Sequence, residues 1–265
     1  MVASNGTAQA NEKATSVVAS QILPSEYYQR LLSESSKQRV PSPIWDLFSV
    51  ELEPGMISML AGKPNPVTFP FESITLGIRS PSSYNEKTVT QLVLQGKELD
   101  AGLQYNLTSG LPTLRKWLTD LTKHFHLRGD NEGWRVSIGL GSLDILYKAF
   151  SAILNPGDSV MVETPTYPGI VPILQSLVCN AVGVSTDVEG ISALGLSSIL
   201  ESWDYTKPFP KALYMVPFSS NPTGLSTSES RRHEILALAQ KYNFLIFEDD
   251  PYCFLYYGSV LKPVS

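Results

Sequence analysis

Residues 212–252, ALYMVPFSSNPTGLSTSESRRHEILALAQKYNFLIFEDDPY, decide the fold. The apolar run Ala212–Pro217 reads as a buried strand, Ser219–Gly224 as a turn, Glu229–Lys241 as a helix and Phe244–Glu248 as a second buried strand. Ser226, with Glu229 three residues later, makes a capping box for that helix. Two buried strands joined through a helix pair in parallel, because the connection must cross over the sheet and the crossing helix covers one of its faces.

The same rhythm extends toward the N-terminus. Arg135–Leu140, Ser159–Glu163 and Val182–Ser185 read as strands, and Leu143–Leu154 as a helix with Leu143, Leu146, Tyr147 and Phe150 on one face. Leu111, Leu114, Leu118, Leu121 and Phe125 recur at helical spacing, with Pro112 suited to the first turn. The expectation is an α/β protein with a mostly parallel sheet covered on both faces, where ligands bind beyond the carboxyl ends of the strands. Further upstream a short helix is expected at Tyr27–Leu32. Pro41, Pro43, Pro54, Pro64, Pro66 and Pro70 then mark an irregular, wrapping stretch. The first twenty residues, rich in Ala, Ser, Asn and Thr, read as a disordered arm.

A chain of 265 residues with 43% apolar and 17% charged residues can bury a full core. Its 20 basic and 25 acidic residues give a net charge of −5 and no basic stripe to neutralise phosphodiesters, so nucleic acid is not an expected partner. No stretch has the apolar length of a membrane span, and the N-terminus lacks a basic region followed by an apolar one. A cytoplasmic protein that does not engage membranes is expected. Cys179 and Cys253 lie far apart and read as free thiols of a reducing compartment. The phosphate loop G-x-x-x-x-G-K-[ST], a complete G-x-G-x-x-G and the hydrolase G-x-S-x-G are all missing, and His124, His126 and His233 lack metal-ligand spacing.

Four strand ends carry chemistry. Gly139-Leu140-Gly141-Ser142 opens a helix whose free amides and Ser142 hydroxyl can hold a phosphate; taken alone it also reads as a tight turn with a serine N-cap. Tyr167, in Glu163-Thr-Pro-Thr-Tyr167-Pro-Gly169, can stack on a planar ligand or pack beneath its own loop. Asn221, in Ser219-Ser-Asn221-Pro-Thr-Gly224, can donate to a ligand oxygen, although turn chemistry alone would choose the same residues. Glu248, Asp249 and Asp250 end a buried strand with three carboxylates, which calls for a cation or a protonated heterocycle to offset them.

These phrases, GLGS at 139–142, ETPTYPG at 163–169, SSNPTG at 219–224 and EDDPY at 248–252, resemble the class I/II fold-type I pyridoxal-phosphate aminotransferases. PSPI at 41–44, AGKPNPVTFPF at 61–71 and LQYNLTSGLPTLRKWL at 103–118 are similar to the branch with α-aminoadipate/kynurenine and fungal aromatic amino-acid aminotransferases. The resemblance implies a three-layer α/β/α large domain over residues 96–265, incomplete at its C-terminus. It also implies a wrapping segment at 26–95 that contributes to the small domain and substrate loop, and an arm at 1–25. It places the cofactor phosphate on Ser142 and the Leu143 amide, Tyr167 on the pyridine ring, Asn221 and Tyr252 on the phenolic oxygen, and Asp249 on the ring nitrogen, with Asp250 less suited. Tyr105 would reach the phosphate of a neighbouring subunit in a homodimer, and Gly62 would border the substrate. Trp45 stands where some relatives carry an arginine for a distal carboxylate, which favours aromatic substrates.

The resemblance also implies a Schiff-base lysine in a Ser-x-Ser-Lys-like segment after EDDPY, and an arginine for the substrate α-carboxylate beyond it. The sequence ends at Ser265, sixteen residues past Asp249, before either is expected. Lys262 lies too early and in a different context. The expected function is therefore the N-terminal portion of an aminotransferase acting on an amino acid and a 2-oxo acid, with the pocket mostly present, pyridoxal phosphate held non-covalently at best, and no transamination by this chain alone. The alternative is a catalytically dead module that pairs with a full-length subunit. Both versions expect strand edges left unpaired where the family's last two sheet strands would lie.

Overall fold

The computed structural model describes residues 23–47, 50–79, 89–130 and 132–257. In chain order the elements are α1 (Ser25–Leu31), α2 (Glu34–Lys37), α3 (Pro43–Leu47), β1 (Ser73–Arg79), β2 (Val89–Gln95), α4 (Gly96–Leu103), α5 (Pro112–His126), α6 (Ser142–Ile153), β3 (Ser159–Thr164), α7 (Ile170–Ser176), β4 (Asn180–Asp187), β5 (Gly190–Ile191), α8 (Ala193–Glu201), β6 (Ala212–Met215), α9 (Glu229–Tyr242) and β7 (Leu245–Glu248).

The main sheet has the order β5-β4-β3-β6-β7, parallel throughout except for the antiparallel β4/β5 pair. Side-chain alternation along its strands builds two separate cores. Val160 and Val162 of β3 and Ala212 and Tyr214 of β6 pack with Leu146, Phe150 and Ile153 of α6 and Ile170, Ile173 and Leu174 of α7. Met161, Leu213 and Met215, the intervening residues, pack on the other face with Leu196 and Leu200 of α8 and Ile235 and Ala239 of α9. Strands buried on both faces read as continuous apolar runs, which is why SVMV and ALYM show no polar alternation in the sequence. The result is the three-layer α/β arrangement expected. Among the described residues, no helix is long and apolar enough to cross a membrane.

Two local readings are corrected. Residues Arg135–Leu140 do not form a strand. Arg135–Ile138 alternate exposed and half-buried positions as a strand would, but no neighbouring ladder forms among the described residues. Their ties are instead Ile138 N–H to Ser109 O at 3.0 Å and the Arg115 Nε contact to Val136 O at 3.2 Å. The cap of α9 is Ser228, whose hydroxyl accepts from Arg231 N–H at 3.3 Å, and not Ser226. Ser226 Oγ accepts from Ser219 N–H at 3.0 Å and so pins the turn two residues before Asn221. Replacing Ser228 with alanine is expected to lower stability by about 1 kcal/mol in urea unfolding, the usual loss for an N-cap.

The segment upstream of the main sheet holds an antiparallel hairpin, β1/β2, with Ile74 opposite Leu94 and Leu76 opposite Leu92. The amphipathic α5 is present as read, but none of its residues is fully buried. Cys253 is buried, Cys179 half-buried, and both thiols are free.

Candidate functional site

The loops after β3, β6 and β7 meet the N-terminus of α6 around a cavity of about 160 Å³. Ser142, Tyr167, Asn221, Asp249 and Tyr252 line it, and Val216 and Pro251 complete the wall. A cavity of roughly 150 Å³ accommodates one benzene-sized ring. Five residues from four separate stretches of sequence thus converge on a space the size of a single aromatic heterocycle.

Each side chain has a local reason for its place. Gly141 precedes α6 with φ 104° and ψ 168°, a conformation that essentially only glycine adopts, and it turns the chain abruptly into the helix. Ser142 is consequently the first helical residue rather than the N-cap expected from the sequence. The first amides of α6 have no partner within the helix, and with the dipole they give this end of the cavity a positive potential. Asp144, which stands where the third glycine of a G-x-G-x-x-G beginning at Gly139 would fall, lies in that first turn. Its carboxylate accepts from Lys148 Nζ at 2.7 Å and from Leu140 N–H at 2.9 Å, which hold it below the usual carboxylate range. The Lys148 ammonium offsets the Asp144 charge beside the anion-binding amides.

Tyr167 lies across Gly169, where a Cβ would overlap the ring, so glycine is needed there to let the ring settle beside the cavity. Asn221 sits in a turn fastened at both ends, by Ser219 N–H to Ser226 Oγ and by Ser220 N–H to Leu225 O at 2.8 Å. Asp249 continues the register of β7, its N–H donating to Met215 O at 2.9 Å. Its Oδ2 accepts from the Tyr214 hydroxyl at 2.8 Å. Asp250 turns away, accepting from Cys253 N–H at 3.1 Å, and burial pushes its carboxyl up. Of the two aspartates, Asp249 is the one that faces the cavity.

Two residues that were not singled out from the sequence support this site from beneath. Glu163, 2% exposed at the end of β3, accepts from Val216 N–H at 3.1 Å and from Ser220 Oγ at 2.8 Å, both through Oε1. Burial pushes its carboxyl above the ordinary glutamate value, and the charge of Asp249 adds to the effect. Tyr214 is fully buried on β6, and its phenol is pushed far above its usual range by burial first and by Asp249 second. The signal available for Glu163 was a carboxylate closing an otherwise apolar strand. For Tyr214 it was a phenol in phase with Ala212 and Val216, whose hydroxyl required a buried partner.

Other expected site residues lie elsewhere. Leu143, in the first turn of α6, is half exposed and does not line the cavity. Tyr105 is 69% exposed and Gly62 ends a short 3-10 turn at φ 58°; neither lines the cavity. Gln104 Nε2 donates to Pro64 O at 2.9 Å, which ties the two segments that carry them. Trp45 belongs to α3, but its side chain lies outside the described residues, as does Lys262.

Comparison with known proteins adds an independent line. The chain is 38% identical to aminotransferase tdiD of Emericella nidulans over 86% of its length and 51% of that protein. It is 37% identical to the mitochondrial kynurenine/alpha-aminoadipate aminotransferase of Mus musculus over 89% of its length and 57% of that protein. The chain therefore spans about half the length of the curated relatives it matches. Its fold superposes on the crystal structure of aminotransferase Aro8 from Candida albicans with a TM-score of 0.78 at 31% identity, covering 88% of this chain and 51% of that one. The kynurenine aminotransferase of Pyrococcus horikoshii, solved in complex with PMP, matches with a TM-score of 0.59 at 27% identity over 89% of this chain and 55% of that one. With the model of aminotransferase class I and II matching residues 74–265, through every strand and loop that builds the cavity, the chain belongs to that family, whose cofactor is pyridoxal phosphate.

Proposed function

We propose that this chain forms the cofactor-holding part of an aminotransferase that moves an amino group from an aromatic or 2-aminoadipate-like amino acid to a 2-oxo acid. The observation that carries this reading is the convergence on one ring-sized cavity of a helix N-terminus, a carboxylate, two donors and an aromatic face. This donor set fits a phosphorylated, protonated pyridine ring. When bound, such a ring supplies an electron sink for the substrate's α-carbon.

The chain's own residues hold and orient the ring. The α6 amides and Ser142 hydroxyl take the phosphate, where the helix dipole favours negative charge. Asp249 accepts from the ring N–H. Asn221 and Tyr252 donate to the phenolic oxygen, and Tyr167 covers one ring face. The names of the relatives support the substrate class, and an indole at position 45 tilts it toward aromatic side chains. The exposure of Tyr105, away from its own cavity, supports a dimer in which it reaches a partner's site. That same exposure also suits the second reading, a silent module pairing with a full-length subunit.

The test is a titration of the chain with pyridoxal phosphate, followed by the cofactor's absorbance. Saturable binding at one site per chain is expected. Asp249→Asn should weaken it 10–100-fold, because a hydrogen bond to a charged group contributes about 1.5–3 kcal/mol. Equal affinity of the two proteins would overturn the reading.

A further inference from the structure

We infer that Tyr214 is a positioning residue for Asp249, fixing the carboxylate so that its second oxygen faces the ring nitrogen of the bound cofactor. This rests on the reading of Asp249 given above. Tyr214 has no contact with solvent, and its ring is held by the core on one face of the sheet, with Phe150 at 6.3 Å between centroids. The hydroxyl is the only polar atom of that side chain, and it donates to Asp249 Oδ2 at 2.8 Å. The backbone of Asp249 is set independently, through its N–H bond to Met215 O at 2.9 Å. One carboxylate oxygen is thereby occupied from inside the protein.

A carboxylate on an unrestrained side chain rotates about its own bonds and offers either oxygen to its partner. One held from behind by a buried phenol offers a single oxygen in a single direction, which is the condition for a short, well-aligned bond to a ring N–H. The charge environment makes this support more valuable. Glu163 from β3 lies near enough for the two carboxyls to repel, and the phenol is the internal donor that faces Asp249. Because burial and Asp249 keep the Tyr214 proton in place, the hydroxyl acts only as a donor toward that carboxylate. The bland alternative is that Tyr214 simply satisfies a buried hydroxyl and contributes packing alone.

The experiment compares two ligands, pyridoxal phosphate and its 1-deaza analogue, in which a C–H replaces the ring nitrogen. In Tyr214→Phe, which retains the ring in the core, pyridoxal phosphate should bind about tenfold more weakly, on the scale of one charge-assisted hydrogen bond. The deaza analogue should bind within about twofold of its affinity for the unmodified chain, since it has no proton for Asp249 to accept. In an Asp249→Asn background, Tyr214→Phe should change neither affinity further. An equal loss for both ligands would assign Tyr214 a packing role and overturn the proposal. If Asp249→Asn itself fails to discriminate between the ligands, the assignment of Asp249 falls first, and the two failures are distinguishable. The ratio of affinities measured on one sample is insensitive to the folded fraction. If the phenylalanine variant does not fold, site-specific 3-fluorotyrosine at position 214 keeps the ring and makes the phenol a stronger donor. A stronger bond at Oδ2 draws charge away from the oxygen that faces the ring, so binding of pyridoxal phosphate should then weaken relative to the deaza analogue, and an unchanged ratio would overturn the proposal.

Discussion

Glu163→Ala is expected to lower stability by about 3 kcal/mol and to weaken pyridoxal phosphate binding, whereas Glu163→Gln should keep both the fold and the binding. The difference follows from one oxygen. Oε1 accepts from the Val216 amide and the Ser220 hydroxyl, both of them buried. Alanine leaves two buried donors without a partner, at about 1–3 kcal/mol each before relaxation, and it frees the turn that carries Asn221. Glutamine retains an oxygen in the same position and removes only the charge. The pH dependence has a definite sign. Burial raises the folded-state value of Glu163 above the ordinary glutamate value, so the folded chain binds more protons than the unfolded chain between the two values. The stability this group contributes is fully present below the unfolded value and is lost as pH rises through the folded one. Glutamine has no such loss, so the urea midpoint of Glu163→Gln should gain on that of the unmodified chain as pH rises above the ordinary glutamate value. A constant offset above that value would show that the Glu163 charge is not buried as described.

How much of this was legible in the sequence depends on the kind of signal each feature leaves. β3 and β6 were readable because strands buried on both faces must be apolar throughout, β7 because it is equally apolar although it lies at the end of the sheet and is only half-buried, and the turn residues that follow all three are chemically distinctive. The cavity residues were readable because they stand where apolar runs end. Arg135–Leu140 has strand composition, yet a strand exists only through its neighbours, and pairing is a property of the whole sheet rather than of six residues. The β1/β2 hairpin was missed for a related reason. β1 contains Gly77, a poor strand former, and the hairpin lies beyond a proline-rich stretch, so local propensity argued for irregular chain while cross-strand pairs such as Leu76 with Leu92 decided otherwise.

The cap of α9 shows the limit of spacing rules. Ser226 and Ser228 are both acceptable N-caps in sequence, and Ser226 has the better capping-box partner in Glu229. The turn before the helix settles the choice, since the Ser219 N–H at φ 45° needs an acceptor and takes Ser226 Oγ. Glu163 and Tyr214 escaped notice because their roles are exercised through other residues. A supporting side chain has no motif of its own; it becomes visible only when the distance to the group it holds is known.

Phe150→Ala should produce the largest loss of stability, about 3–5 kcal/mol, and should reach the site as well as the core. Phe150 is fully buried on α6, stacks on Phe247 of β7 at 4.6 Å between centroids, and inclines toward Tyr214 of β6. Neither neighbour lines the cavity, but both are tied to Asp249, which does. Phe247 lies two residues before Asp249, and Tyr214 holds the Asp249 carboxylate. Removing the ring leaves a void between the α6 layer and the sheet, and close-packed interiors relax into such voids only in part. Partial relaxation moves the rings that set Asp249, so cofactor affinity should fall along with the urea midpoint. Phe150→Leu, which fills most of the same volume, should lose less than about 1.5 kcal/mol and retain binding. Urea unfolding and a pyridoxal phosphate titration on the folded fraction of both variants check this. If Phe150→Ala lost stability yet bound the cofactor as tightly as the unmodified chain, the coupling between this core and the carboxylate above it would be absent, and the site would be held by its loops alone.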